Sequence, residues 1–94
     1  MKKISRYLLD SKCLTFQTVY LPKSAEIVSI SNSDTGLFLI VLSDSVYTET
    51  ELHTFKICLL DENICAENIS YIGNFKEYST TMYVIEILNK EIKL

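Results

Sequence analysis

The chain has 94 residues, which suits one domain at the short end of the usual range. Its net charge of −3 argues against a broad electrostatic surface for long nucleic acid, though a few cationic side chains could still hold one or two phosphates. Three cysteines without CxxC spacing and a single histidine leave no disulfide framework and no zinc pattern, so no metal or cofactor is expected and the compartment reads as reducing and cytoplasmic.

Hydrophobic residues make up 48% of the chain, with no tryptophan and two glycines, and the abundance of Ile, Leu, Val, Tyr and Phe favours strands. The apolar stretch near the N-terminus is too short for a signal peptide. No run approaches the roughly 20 apolar residues that a membrane helix needs, so no membrane partner is expected.

Residues 2–9 (KKISRYLL) read as a first strand, broken by Asp10, Ser11 and Lys12. Residues 14–21 form a second, with Phe16, Thr18 and Tyr20 on one face and Gln17 and Val19 on the other; Pro22 ends it. Residues 26–31 alternate imperfectly as a third strand. The segment 32–36 (NSDTG) is the clearest turn in the chain and predicts a hairpin. Residues 37–43 are apolar throughout, so both faces are expected to be covered, as in a central strand or one that meets an interface.

Residues 44–51 (DSVYTETE) read as an exposed loop. Residues 52–60 alternate well, with Phe55, Ile57 and Leu59 opposite Thr54, Lys56 and Cys58. Asp61, Glu62 and Asn63 break that strand, and residues 64–68 form either a helical turn or an irregular connection. Residues 69–78 make another strand, with Tyr71, Gly73 and Phe75 on one side; the glycine marks a bulge or a close approach. After a turn at 77–81, residues 82–89 form the last strong strand, and residues 90–94 are expected to fray. About seven strands at 8–12-residue spacing predict an all-β fold, a small antiparallel β-sandwich or partly open barrel in one domain with little or no helix.

No catalytic machinery is visible. A nucleophile needs an activating base, and His53, the only imidazole, sits in a strand pattern without a motif, where a solvated or core-edge role is the ordinary reading. The acids cluster in turns, and glycine-rich phosphate loops are absent, so an enzyme is disfavoured. Six tyrosines and four phenylalanines are more suggestive, because several lie near cations: Lys3, Arg6 and Tyr7 in the first strand, and Tyr71, Lys76 and Tyr78 further on. Rings that stack on bases beside cations that meet phosphates suit a nucleotide pocket, although tyrosines also fill half-buried sheets. The apolar runs 37–42 and 82–88, the second interrupted by Glu86, exceed what one small sheet pair hides and predict a homo-oligomer.

The order of motifs resembles a family of small phage and prophage β-proteins. The landmarks are KKISRYLL at 2–9, QTVYLPKSAEIVSI at 17–30, GLFLIVLSD at 36–44, HTFKI at 53–57, SYIGNF at 70–75 and MYVIE at 82–86. The most specific pieces are Gln-x-x-x-Leu-Pro-x-x-Ala-x-Ile, starting at Gln17, and Tyr71-Ile72-Gly73. The chain departs from the pattern after HTFKI, where relatives carry a Thr-Gly-His-like turn, and at Met82-Tyr83, where relatives carry Trp-His. A ligand site built from those positions would differ in this chain.

The family is similar to phage anti-CBASS sponge proteins, which bind cyclic nucleotide defence signals without cleaving them. The resemblance implies a cyclic nucleotide ligand, immune evasion and action in the host bacterial cytoplasm. Residue chemistry then nominates Lys3 and Arg6 for phosphate and Tyr7, Tyr71 and Tyr83 for stacking. The alternatives are a protein-binding inhibitor of a host factor, suggested by the acidic loop, and a minor phage structural or assembly protein.

Overall fold

The computed structural model describes residues 1–44 and 49–88. Among them are seven strands and no helix: β1 (Lys2–Leu9), β2 (Phe16–Pro22), β3 (Glu26–Ser33), β4 (Gly36–Asp44), β5 (Thr50–Cys58), β6 (Ile69–Glu77) and β7 (Thr80–Ile87). They form two antiparallel sheets ordered β1-β4-β3 and β2-β5-β7-β6, a small β-sandwich rather than a closed barrel. The sheets approach along β3 with β6 and along β1 with β2.

The period of two that suggested strands also sorts the side chains. Along β4, Leu37, Leu39 and Val41 are buried between the sheets, while Phe38, Ile40 and Leu42 face outward half-covered. Facing β4 across the core are Phe55 and Ile57 of β5 and Met82 and Val84 of β7. Leu9, Leu21 and Phe75 close the ends of this layer. Each such side chain contributes about 1.5–3 kcal/mol on burial.

Two bulges interrupt the ladders. The β3–β4 register shifts between Ile27 and Ser29, which throws Val28 outward, and the β6–β7 register shifts between Tyr71 and Gly73, which inserts Ile72. The imperfect alternation of residues 26–31 is the sequence trace of the first. The second corrects the facing of β6: of the three residues grouped from sequence, Tyr71 pairs with Ile85 on the outer face, while Gly73 and Phe75 turn inward. Beside the second bulge the sheets close tightly, because a Cβ at Gly73 would sit 3.1 Å from Ile30 Cγ1.

Other boundaries differ in small, explicable ways. Pro22 is the last residue of β2 rather than its terminator, which an edge strand tolerates because its outer N–H side needs no partner. The β3–β4 turn narrows to Asp34 and Thr35, followed by Gly36 at φ 142. Leu59 does not join Phe55 and Ile57. Strand β5 ends at Cys58, the Leu59 N–H donates to Glu62 Oε1 at 3.0 Å, and Asp61 takes φ 67, so the chain turns and Leu59 is left exposed. Residues 64–68 are irregular, without a helical turn. Of the predicted loop 44–51, Asp44 closes β4 and Thr50 opens β5, whereas 45–48 lie outside the described residues, as do Asn89 and the tail 90–94.

Candidate functional site

The residues nominated from sequence fall into two groups on opposite sides of the sandwich. Lys3, Arg6 and Tyr7 belong to β1 in the three-stranded sheet. Tyr7 turns inward and packs against the core. Arg6 turns outward, its guanidinium carbon 4.5 Å from the centroid of the Phe38 ring, a cation–π contact across the β1–β4 pair. Lys3 is exposed. Tyr71 and Tyr83 instead share the outer face of the four-stranded sheet, ring centroids 6.5 Å apart with a 46° tilt. Within one chain, then, the structure joins Tyr71 to Tyr83 but does not bring Arg6, Lys3 or Tyr7 to them.

The tyrosine pair shares its face with Asn74, which the sequence did not single out, and with Lys76, which it did. Asn74 lies opposite Tyr83, and its Nδ2 donates to Tyr71 Oη at 2.6 Å, fixing the ring. Lys76, next on the same face by alternation, is exposed. The bulge explains why this grouping escapes a simple reading: an i, i+2 count sends Tyr71 away from Asn74, and the inserted Ile72 puts them together. A 57% exposed aromatic ring held by an amide is a surface on which a base can stack, and exposed Lys76, one outward position beyond Asn74, is a cation on the same face.

Beside Tyr83 the outer face is covered. Lys56, opposite Ile85, is 8% exposed; its Nζ donates to the Leu14 carbonyl at 2.9 Å and pairs with Glu62 Oε2 at 2.7 Å. The Lys56 ammonium, followed by the Leu59 N–H, holds the Glu62 carboxyl below the usual carboxylate range. Burial pushes the neighbouring Cys58 thiol up, against the smaller opposing effect of Lys56.

A second constellation lies between the sheets, where the two bulges face each other. Ala25, Ile27 and Val28 from the β3 side and Ile72 from β6 wall an open pocket of about 270 Å³. His53, Glu86, Ser70 and Tyr71 supply its polar lining. His53 Nδ1 is 2.5 Å from Glu86 Oε2, and both side chains are at most a tenth exposed. The imidazole stacks near Phe55, centroids 6.3 Å apart. Its Nε2 is buried without a hydrogen-bond partner; Glu51 Oε1 lies 3.3 Å away in a geometry that is not a hydrogen bond. The motif-free histidine is therefore an inward, ordered group. The available signal was Glu86, the lone charge in the apolar run of β7, whose burial required a partner.

Among the described residues no group of three His, Cys, Asp or Glu side chains is placed to hold a metal ion, and no helix is long and apolar enough to cross a membrane. Comparison with protein-family models, with curated proteins and with solved structures finds no match.

Proposed function

We propose that the protein binds and sequesters a cyclic nucleotide defence signal, in the manner of the phage sponge proteins that its sequence resembles. The observation that carries this reading is the Tyr71–Tyr83 pair, ordered by Asn74 and flanked by Lys76 on an exposed sheet face. Sequestration needs affinity and no chemistry, so stacking and charge-assisted hydrogen bonds suffice. A homo-oligomer is part of the same proposal. The outer face of the three-stranded sheet carries exposed Ile4 and Leu8 beside half-buried Phe38, Ile40 and Leu42, an apolar row on which a partner can pack. Arg6 stands in that face and enters the interface with it.

The test is calorimetric titration of the protein with a panel of cyclic mono- and dinucleotides, followed by heat denaturation and analysis of the released ligand. Saturable heat and an intact ligand are expected. Absence of heat across the panel, with one stoichiometric protein captured from host lysate, would move the reading to a protein-binding inhibitor. A cleaved product would replace sequestration by hydrolysis, with the His53–Glu86 pair as the first candidate base.

A further inference from the structure

Four strands lie at sheet edges, and three of them are poorly suited to further pairing. β3 and β6 each carry a bulge and lie against one another, with Asn32 Nδ2 donating to the Lys76 carbonyl at 3.3 Å. β2 ends in Pro22, which has no N–H. β1 is the exception. Its eight residues pair with β4 without a break from Lys2 to Leu9, and they include no proline, glycine or bulge. We propose that the free edge of β1 docks an extended acidic peptide segment of another protein, added to the three-stranded sheet as a fourth strand.

Backbone groups supply the contact. Every second residue of β1 turns its N–H and C=O away from β4. Among the described residues no loop or side chain bonds to those groups. An added strand satisfies them along its whole length.

Charge decides the class of partner. β1 carries Lys2, Lys3 and Arg6 and no acid, in a chain whose net charge is −3. Among the described residues none of the three is ion-paired. Asp44, opposite Lys2, meets the N-terminal ammonium at 3.6 Å, and Arg6 lies over the Phe38 ring. Edge lysines oppose a second cationic strand. β1 of another copy is therefore the wrong occupant, since it would double the three cations without adding a carboxylate; the second copy proposed above packs on the sheet face, not on this edge. An anionic lipid surface would meet the cations and the exposed Ile4 and Leu8 but leave the backbone groups unpaired.

Alternation decides the pattern. Lys2, Ile4, Arg6 and Leu8 share the outer side of the strand. An antiparallel partner fits them with acids opposite Arg6 and Lys2 and an apolar residue between, opposite Ile4. The partner sequence is thus acid-x-apolar-x-acid in an extended segment.

The experiment is amide hydrogen exchange, read by nuclear magnetic resonance on the full chain labelled with nitrogen-15. It is run with and without peptide at one protein concentration, so that protection from self-association cancels. The probe is the capped peptide VTETVTET. Its controls are VTKTVTKT, of opposite charge, and VPEPVPEP, equal in charge but held out of a strand by proline. Saturation below ~1 mM is expected, with slowed exchange at alternate amides of β1 and no response to either control. Lys2→Gln with Arg6→Gln is expected to weaken binding at least about threefold, and Lys2→Gln alone, at the exposed end of the strand, about twofold with the urea midpoint kept. Equal response to either control, binding unchanged by both substitutions, or protection at β2, β3 or β6 in place of β1 would overturn the proposal. So would no response up to ~1 mM peptide, including the case in which phosphatidylglycerol vesicles bind and the peptide does not. Because these probes carry no base, and the peptides no phosphate, the outcome is independent of whether the tyrosine face binds nucleotides.

Discussion

At Tyr78 the backbone takes φ 59 while its side chain is 94% exposed, so conformational strain there is offset by no packing of its own. The β6–β7 hairpin has two central residues, Tyr78 and Ser79, and only the first has positive φ, the position at which a type II′ turn favours glycine. Tyr78→Gly is expected to stabilise the protein by about 1 kcal/mol, read as a higher urea midpoint at unchanged slope. Gly36 is the opposite case. Its φ of 142 suits glycine, and an added Cβ would meet Leu8 Cδ1 at 2.9 Å. Gly36→Ala should cost about 1–2 kcal/mol. Because Leu8 is 63% exposed and its tip can swing aside, the double variant with Leu8→Ala should recover only a minor part of that loss. Full recovery would show that the side-chain collision, and not the backbone, sets the cost.

At the scale of the element, the connection from β5 to β6 is pinned to the sheet by one ion pair. Lys56 projects from β5 and is buried; Glu62 reaches back to it and also accepts the Leu59 N–H that turns the chain. The folded Glu62 carboxyl titrates below its ordinary value of 4.5. A depressed folded value means that the stabilisation is fully present above about pH 4.5 and is lost as pH falls through the lower, folded value. Glu62→Gln should therefore reduce stability at neutral pH and flatten the acid limb of a stability–pH curve. Solvent reaches a third of the Glu62 side chain, which holds the expected loss to under about 1 kcal/mol. An unchanged acid limb would show that other carboxylates dominate it. The same covered region shields Cys58, whereas Cys65 is exposed. Alkylation followed by mass analysis should label Cys65 in the native protein and Cys58 only after denaturation.

The strands themselves were legible because alternation at a period of two is a local property. β1 runs over the residues expected, and the outward Phe16, Thr18 and Tyr20 of β2 were readable from spacing alone. The bulges were legible only as irregularity. Imperfect alternation in β3 and a glycine in β6 signalled them, but the direction in which Tyr71 points depends on how many residues face Ile85 and Val84 across the ladder. That count is fixed by pairing with another strand and is not written in β6.

For the whole molecule, the outer face of the three-stranded sheet is where the proposed second copy packs. β4 shows why its apolar run was informative: its inward residues are buried by the other sheet, and its outward residues are covered only in part. A second copy placed there predicts that Ile4→Lys with Leu8→Lys dissociates the assembly and leaves the strand content intact. Sedimentation and circular dichroism would read both. A wild-type chain sedimenting as a 10.8 kDa monomer at micromolar concentration would remove the oligomer from the proposal. For the tyrosine face, Tyr71→Ala should abolish nucleotide heat at a stability cost below about 1 kcal/mol, since that ring is largely exposed.

Composition and alternation by themselves determined an all-β chain, its strand order along the sequence and the sorting of Phe16, Thr18 and Tyr20 from Gln17 and Val19, and of Phe55 and Ile57 from Thr54 and Lys56, because each depends on neighbours one to four positions apart. Only the tertiary structure decided which aromatic and charged groups meet. It parted Arg6 from Tyr71 by placing their strands in different sheets, and joined His53 to Glu86 across the ladder from β5 to β7. Thirty-three residues separate that pair in sequence, and burial in the shared interior is what makes each group require the other.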